Sequence, residues 1–206
     1  TLWSTRYDGP LHGEDEPHHL AVWRSGAFWV AGYQQTQIGA GSEPSLLELR
    51  PDGTITWQRS LKDAQGTPLV GESNGIAVND IDGDYYLCGS VLDATGTHSV
   101  PLISKLGYRG EEVWQSRIPD LADASNDIVA RGCALGNDTL SVVGTSASNG
   151  RSQFWAAKLE PGSTQRWLRR DAALATGRDV APAHDGGSFV TGQTTDGELF
   201  VGKLLP

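Results

Sequence analysis

Short apolar runs closed by a glycine recur along the chain, and they predict strands. Phe28-Trp29-Val30-Ala31 precedes Gly32, Tyr85-Tyr86-Leu87-Cys88 precedes Gly89, Leu140-Ser141-Val142-Val143 precedes Gly144, and Ser188-Phe189-Val190-Thr191 precedes Gly192. Each run is rich in β-branched or aromatic residues and is flanked by turn residues, so each reads as a strand that the glycine ends. A shorter apolar stretch lies ahead of every run: Leu20-Ala21-Val22, Ile76-Ala77-Val78, Ile128-Val129-Ala130 and Val180-Ala181. The links Ser25-Gly26, Asp82-Gly83, Gly136-Asn137 and Asp185-Gly186-Gly187 read as hairpin turns. No segment keeps a 3.6-residue apolar period over the length of a helix, so almost no helix is expected.

After each glycine a longer loop leads to a third strand, at 45–49, 102–106, 155–159 and 200–204. Its columns match between copies: Glu48, Lys105, Lys158 and Lys203 share one position, and Leu49, Leu106, Leu159 and Leu204 the next. A fourth strand is marked by tryptophan. Trp3, Trp57, Trp114 and Trp167 stand at intervals of 54, 57 and 53 residues, a period that signals a repeat architecture. Four short antiparallel strands repeated in this way form the blade of a β-propeller, in which radial repetition leaves only short, protected edges. The fourth copy reaches Leu204-Leu205-Pro206 without a tryptophan strand, whereas Thr1-Leu2-Trp3-Ser4-Thr5-Arg6 carries one. The pattern therefore predicts one all-β domain over 1–206, a four-bladed β-propeller with four antiparallel strands per blade. Its blades fall at about 18–60, 74–117, 126–170 and 178–206, the last closed by the N-terminal strand over 1–6.

The motif residues support a named resemblance. Asp185-Gly186-Gly187-Ser188-Phe189-Val190-Thr191-Gly192, followed by Lys203-Leu204, resembles the repeat of secreted bacterial β-propellers. That repeat reads Asp-Gly-Gly, an aromatic residue, an apolar run and Gly, then Leu-x-Lys-Leu-Asp, then Gly and Trp. Gly32-Tyr33 through Leu49-Arg50-Pro51-Asp52-Gly53-Thr54-Ile55-Thr56-Trp57 fits the same pattern, while Arg50, Gly107 and Glu160 depart from its Asp. The resemblance covers nearly the whole chain and implies the propeller fold. It implies little about activity, since such scaffolds serve adhesion, partner binding and occasionally catalysis.

Charge narrows the partners. With 16 Lys and Arg against 25 Asp and Glu, the formal charge of −9 disfavours nucleic acid, whose binding rests on phosphate neutralisation, and an anionic membrane surface. No apolar run is long enough to span a bilayer, so no membrane insertion is expected. The chain begins at Thr1 and contains no Met, from which export and a secreted or periplasmic bacterial location are expected.

Positions that agree between copies serve packing, and positions that differ are free to serve a site. The four tryptophans accordingly read as blade packing. In a propeller the loops leading into the inner strand and those after the second strand share one face. On it the sequence places His18, Asn74, Asn126 and Arg178 in equivalent positions, beside His19, Asp127 and Asp179, with Tyr33 and Gln35 in an adjoining loop. These nine residues form the candidate ligand site. Asn and Asp there also cap turns and bond loop backbone.

Catalytic and metal signatures are weak. Adjacent residues on a strand point to opposite faces, so His18 and His19 cannot both face one ion, and no Cys or second His recurs at zinc spacing. Asn79-Asp80-Ile81-Asp82-Gly83-Asp84 has the alternating oxygen donors of a calcium loop but occupies a hairpin turn and lacks a bidentate Glu at the twelfth position. Gly13-Glu14-Asp15-Glu16 reads as a solvated loop. No nucleophile elbow, phosphate loop or zinc-protease helix occurs, so no catalytic residue, metal or cofactor is assigned. A glycosidase needs only two facing carboxylates, which Glu43, Asp93, Asp127, Asp179 and Asp196 could supply. Three functions follow: a non-catalytic module binding a protein or glycan partner, an extracytoplasmic hydrolase using the same face, or an inhibitor or assembly subunit that occludes another protein. Finally, Cys88 and Cys133 are expected to be free thiols about 10 Å or more apart, because their registers place them at opposite strand ends.

Overall fold

The computed structural model describes residues 2–35, 41–118, 127–148, 150–160 and 162–206, among which there is no helix. Fifteen strands form four antiparallel sheets in a propeller-like array. Sheet 1 contains β1 (Glu16–Val22), β2 (Phe28–Gln35), β3 (Ser42–Leu49) and β4 (Ile55–Ser60); sheet 2 contains β5 (Gly71–Val78), β6 (Tyr85–Leu92), β7 (Ser99–Leu106) and β8 (Glu112–Arg117). Sheet 3 contains β9 (Asp127–Gly136), β10 (Thr139–Ser148), β11 (Arg151–Leu159) and β12 (Gln165–Asp171), and sheet 4 contains β13 (Leu174–Pro182), β14 (Ser188–Thr194) and β15 (Leu199–Leu204). Within each sheet every strand pairs with its neighbour in sequence, which is why short hairpin turns suffice.

The repeated glycines do not end strands. Gly32, Gly89, Gly144 and Gly192 lie inside β2, β6, β10 and β14, each opposite a β-bulge in the inner strand. The bulged residues, skipped by the pairing, are His18, Asn74, Arg131 and Arg178. A bulge pushes the partner backbone towards the facing strand. At each glycine a Cβ would collide with a main-chain oxygen, that of Glu16, Glu72, Val129 or Thr176 respectively. Glycine recurs because the bulge recurs.

Three apolar cores hold the array together, one per pair of successive sheets. Between sheets 1 and 2 lie Trp29, Leu46, Ile76, Tyr85 and Leu87, with the Trp29 and Tyr85 rings 5.0 Å apart. Between sheets 2 and 3 lie Tyr86, Ile103, Ile128, Cys133 and Trp155, and between sheets 3 and 4 lie Val143, Phe154, Val180 and Val190. The repeat tryptophans pack against these cores as expected: Trp57 stacks on Tyr85 at 6.4 Å, Trp114 meets Tyr86 edge-on at 6.1 Å, and Trp167 joins the third core.

The expected closing strand is not formed among the described residues. Sheet 4 has three strands, and the N-terminal segment lies against sheet 1 instead of pairing with β15. Trp3 stacks on Phe28 with rings 5.6 Å apart, its indole N–H donates to the Pro51 carbonyl at 2.9 Å, and the Thr5 hydroxyl donates to the Gly53 carbonyl at 2.5 Å. The repeat period identifies an outer-strand position, but pairing it with β15 also depends on how the sheets are arranged around the cores.

Both cysteines are free and buried, but the expected separation is wrong. The two cysteines are neighbours across the core, Cys133 Sγ donates to the Tyr86 carbonyl at 3.9 Å, and burial, followed by the contact with Cys133, raises the Cys88 thiol well above its ordinary value. The error comes from sheet 3. Cys133 pairs with Val142 as Ile76 pairs with Leu87, so it sits mid-strand on β9 and faces β6 across the second core. Neither thiol is expected to react with a thiol reagent in the native protein, and both should react after denaturation. Modification of the folded protein within minutes would overturn this.

Candidate functional site

The bulges place a histidine, an asparagine and two arginines at one position on four successive inner strands. His18 and Asn74 are spent on the seams. His18 Nδ1 lies 3.2 Å from the Ser73 carbonyl oxygen of the next sheet, and Asn74 Nδ2 donates to the Ala130 carbonyl of sheet 3 at 2.9 Å and to Glu72 Oε1 at 3.2 Å. Arg131 and Arg178 differ. Both are exposed, and neither joins an ion pair among the described residues. The bulge of sheet 4 packs close to sheet 3, where a Cβ on Gly132 would lie 3.1 Å from Asp179 Cα and 3.3 Å from the Arg178 carbonyl oxygen.

This row corrects the sequence alignment. Asn126 lies outside the described residues, and the residue of sheet 3 equivalent to His18, Asn74 and Arg178 is Arg131. Ile128-Val129-Ala130 resembles the other inner strands, but β9 is longer, and its stretch matching Ile76-Ala77-Val78 is Cys133-Ala134-Leu135. Counting back from the conserved spacing of the glycine would have found it: His18, Asn74, Arg131 and Arg178 stand 14, 15, 13 and 14 residues before their glycines.

The other candidate residues divide between two places. Tyr33 packs edge-on to His18 at 5.5 Å, and its hydroxyl donates to Glu16 Oε2 at 3.0 Å; His18 Nε2 lies 3.9 Å from the other oxygen of Glu16. His18, His19 and Tyr33 line a cavity of about 530 Å³ between the N-terminal segment and sheet 1, where His19 Nδ1 is buried without a hydrogen-bond partner among the described residues. The Gln35 amide N–H donates to Asp15 Oδ1 at 3.3 Å. Asp127 accepts from the Ser99 amide at 2.9 Å and Asp179 from the Val180 amide at 2.8 Å, both ordinary loop and bulge bonds.

The loops themselves fall short of expectation. The second and third strands run further than their apolar cores, so the β10–β11 connection is only 149–150, and 93–98 is no longer than 79–84 at the other end. Of the described connections at this end, 61–70 between β4 and β5 is the long one. The 79–84 turn closes on itself: Asn79 accepts from the Ile81 amide at 3.0 Å, Asp82 from the Asp84 amide at 3.0 Å, and Asp84 pairs with Lys105 at 2.7 Å.

Two tyrosines tie the N-terminal segment and the inner strand to acidic surroundings. Burial first, then Asp15 and Asp8, push Tyr7 up to about 12; burial first, then the bond to Glu16 and nearby glutamates, push Tyr33 up to about 12. A tyrosine whose folded value exceeds 10 stabilises the fold fully below pH 10, and that contribution is lost as pH rises from 10 towards 12. Ultraviolet titration should therefore show delayed phenolate formation, with stability to urea falling across that window. Ionisation of all tyrosines near pH 10 in the folded protein would refute this.

The chain matches no family model and no curated protein. Its fold is similar to that of a gluconolactonase from Xanthomonas campestris, with a TM-score of 0.51 at 17% identity over 92% of this chain and 57% of that one. This likeness supports a propeller-like fold and shows the fold alone. A protein of unknown function from Bacteroides caccae (TM-score 0.44, 13% identity, 92% of this chain and 58% of that one) and an ACO/RPE65 chimera (0.47, 11%, 92% and 50%) are more distant. The chain thus spans between half and three fifths of the length of these structures.

Proposed function

We propose that the protein is a non-catalytic binding module that holds an acidic group of a protein or glycan partner at the inner-strand end of its sheets. The observation that carries this reading is the pair Arg131 and Arg178. They occupy the same bulge on adjacent inner strands, remain exposed in a chain of net charge −9, and stand on rigid strands instead of loops. A guanidinium in that setting is a ready fork for a carboxylate or phosphate. Secretion and a periplasmic setting are compatible with this role.

A glycan array containing uronic and sialic acids beside neutral sugars, with a pull-down from a native secretome, tests the reading. Once a partner is found, Arg178→Ala should weaken binding about tenfold or more, since a charge-assisted hydrogen bond contributes about 1.5–3 kcal/mol. The melting temperature should not change. A partner that maps to the 79–84 end, or indifference to both arginines, would refute it.

The hydrolase reading rests on a different observation. Glu43 and Glu112 line one groove of about 660 Å³ with Gln58, Arg59 and Lys62, and burial raises the Glu112 carboxyl above its ordinary value, against the lowering bond from Gln115, which is the direction a general acid needs. Asp93 moves the other way: bonds from Thr95 and Thr97 hold it down at about 2. Hydrolysis of a polysaccharide that Glu112→Gln abolishes would favour catalysis over binding.

A further inference from the structure

The bulged side chains change behaviour half-way along the array. His18 and Asn74 each reach over a seam to the main-chain oxygen of the residue before the next bulge, Ser73 and Ala130 respectively. For Arg131, the next in the row, the corresponding oxygen is that of Gly177. Arg131 makes no such bond. Among the described residues neither it nor Arg178 places its guanidinium in a hydrogen bond or an ion pair, so both forks are open to a ligand.

Glycine brings the two arginines together. Gly132 follows Arg131, and a Cβ on it would lie 3.1 Å from Asp179 Cα and 3.3 Å from the Arg178 carbonyl oxygen, so the two bulges meet main chain to main chain. Gly177 precedes Arg178, and a Cβ there would lie 3.0 Å from both the amide nitrogen and the carbonyl oxygen of Gly144. A larger residue at either position would push β13 away from sheet 3. Asp179, the remaining charge of the two bulges, accepts from the Val180 amide at 2.8 Å and pairs with neither arginine.

We propose that Arg131 and Arg178 act as one clamp, and that the group they hold is a sulfate or phosphate ester on a sugar. The inference rests on the reading of the protein as a module for an acidic group, and it names that group. A carboxylate presents one bidentate edge, which a single guanidinium fork fills, so a second arginine beside it would be redundant. An ester oxyanion has three terminal oxygens, enough to give each of two forks its own edge. Two guanidinia held side by side also repel each other, and an anion seated between them offsets that repulsion. The connections at this end, 93–98 and 149–150, are short, so the surface suits a compact group on a sugar better than a protein segment that must be enclosed. Asp179 and the net charge of −9 work against a polyanion, so the ester stands singly along its chain.

Calorimetry of the protein with sulfated galactose, phosphorylated galactose and galacturonic acid at one ionic strength tests the clamp, and the two ester arms tell sulfate from phosphate. At least one ester should bind about tenfold or more tighter than galacturonic acid. Arg131→Lys keeps the charge and loses the fork. It should weaken ester binding about tenfold, as should Arg178→Ala, and the double variant should lose little more than either alone, because the two act as a unit. Circular dichroism should not change, since both side chains are exposed and unbonded. Galacturonic acid bound as tightly as the esters, Arg131→Lys at the wild-type affinity, or losses that simply add would each overturn the clamp. Dependence on Arg178 with indifference to Arg131 would also overturn it, while leaving the binding reading in place. A phosphoserine peptide bound more tightly than phosphorylated galactose would overturn the assignment to a sugar. Saturable binding of neither ester would overturn the clamp, and the glycan array then decides the binding reading by itself.

Discussion

Gly89→Ala should cost about 3 kcal/mol or more of stability, at the upper end for an overpacking substitution. The new Cβ would collide with the Glu72 carbonyl oxygen and lie 2.9 Å from Ser73 Cα, both main-chain atoms of the bulged strand. Neither strand can retreat easily. β6 is buried along nearly its whole length, with cores on both sides of sheet 2. Gly162→Ala is the control: a Cβ there meets nothing within 4 Å and its φ is not positive, so an effect within about 0.5 kcal/mol is expected. Urea unfolding of the two variants measures the difference. If Gly89→Ala falls within about 1 kcal/mol of the control, the bulge does not explain the repeated glycine.

That glycine shows how far the sequence could be read. Its recurrence, with the tryptophan period and the paired apolar runs, was enough for the four-strand unit and for the count of sheets. Its meaning was not legible, because a glycine ending a strand and a glycine opposite a bulge look alike along the chain. Only cross-strand pairing separates them. The same limit displaced sheet 3, where the apolar triplet Ile128-Val129-Ala130 imitated an inner strand and moved the alignment from Arg131 to Asn126 and Cys133 to a strand end. The closing strand was not legible for a different reason: Trp3 carries the repeat's outer-strand signal, yet it stacks on Phe28 of sheet 1 without a ladder to β15, and pairing of that kind is not written in the spacing.

The row of candidate residues was legible only in part. His18, Asn74 and Arg178 were aligned because they precede equivalent apolar stretches, and the structure shows that all three are bulged positions. The sequence could not show that His18 and Asn74 would be consumed by bonds across the seams, while the arginines stay exposed and join no ion pair among the described residues. Nor could it show that the strands would run on through the expected loops. Hairpin lengthening beyond an apolar core uses polar residues such as Ser146, Ser152 and Gln153, which carry no hydrophobic signal.

Trp29→Ala and Phe189→Ala should differ sharply although both residues hold the same repeat position. Trp29 is 1% exposed, touches Tyr85 and Trp23 through its ring, and donates its indole N–H to Glu48 at 3.1 Å. Its truncation empties the core between sheets 1 and 2 and leaves Glu48 without that donor, for a loss of about 3–5 kcal/mol. Phe189 is 47% exposed and meets Lys203 over its ring at 5.5 Å, a contact that contributes about 0.5–1 kcal/mol at an exposed site. Its truncation should therefore cost the isolated chain less than about 1 kcal/mol. Urea unfolding measures both. A loss for Phe189→Ala that equals the loss for Trp29→Ala would mean that Phe189 is covered in the folded protein as Trp29 is, and that its exposed place on sheet 4 is wrong.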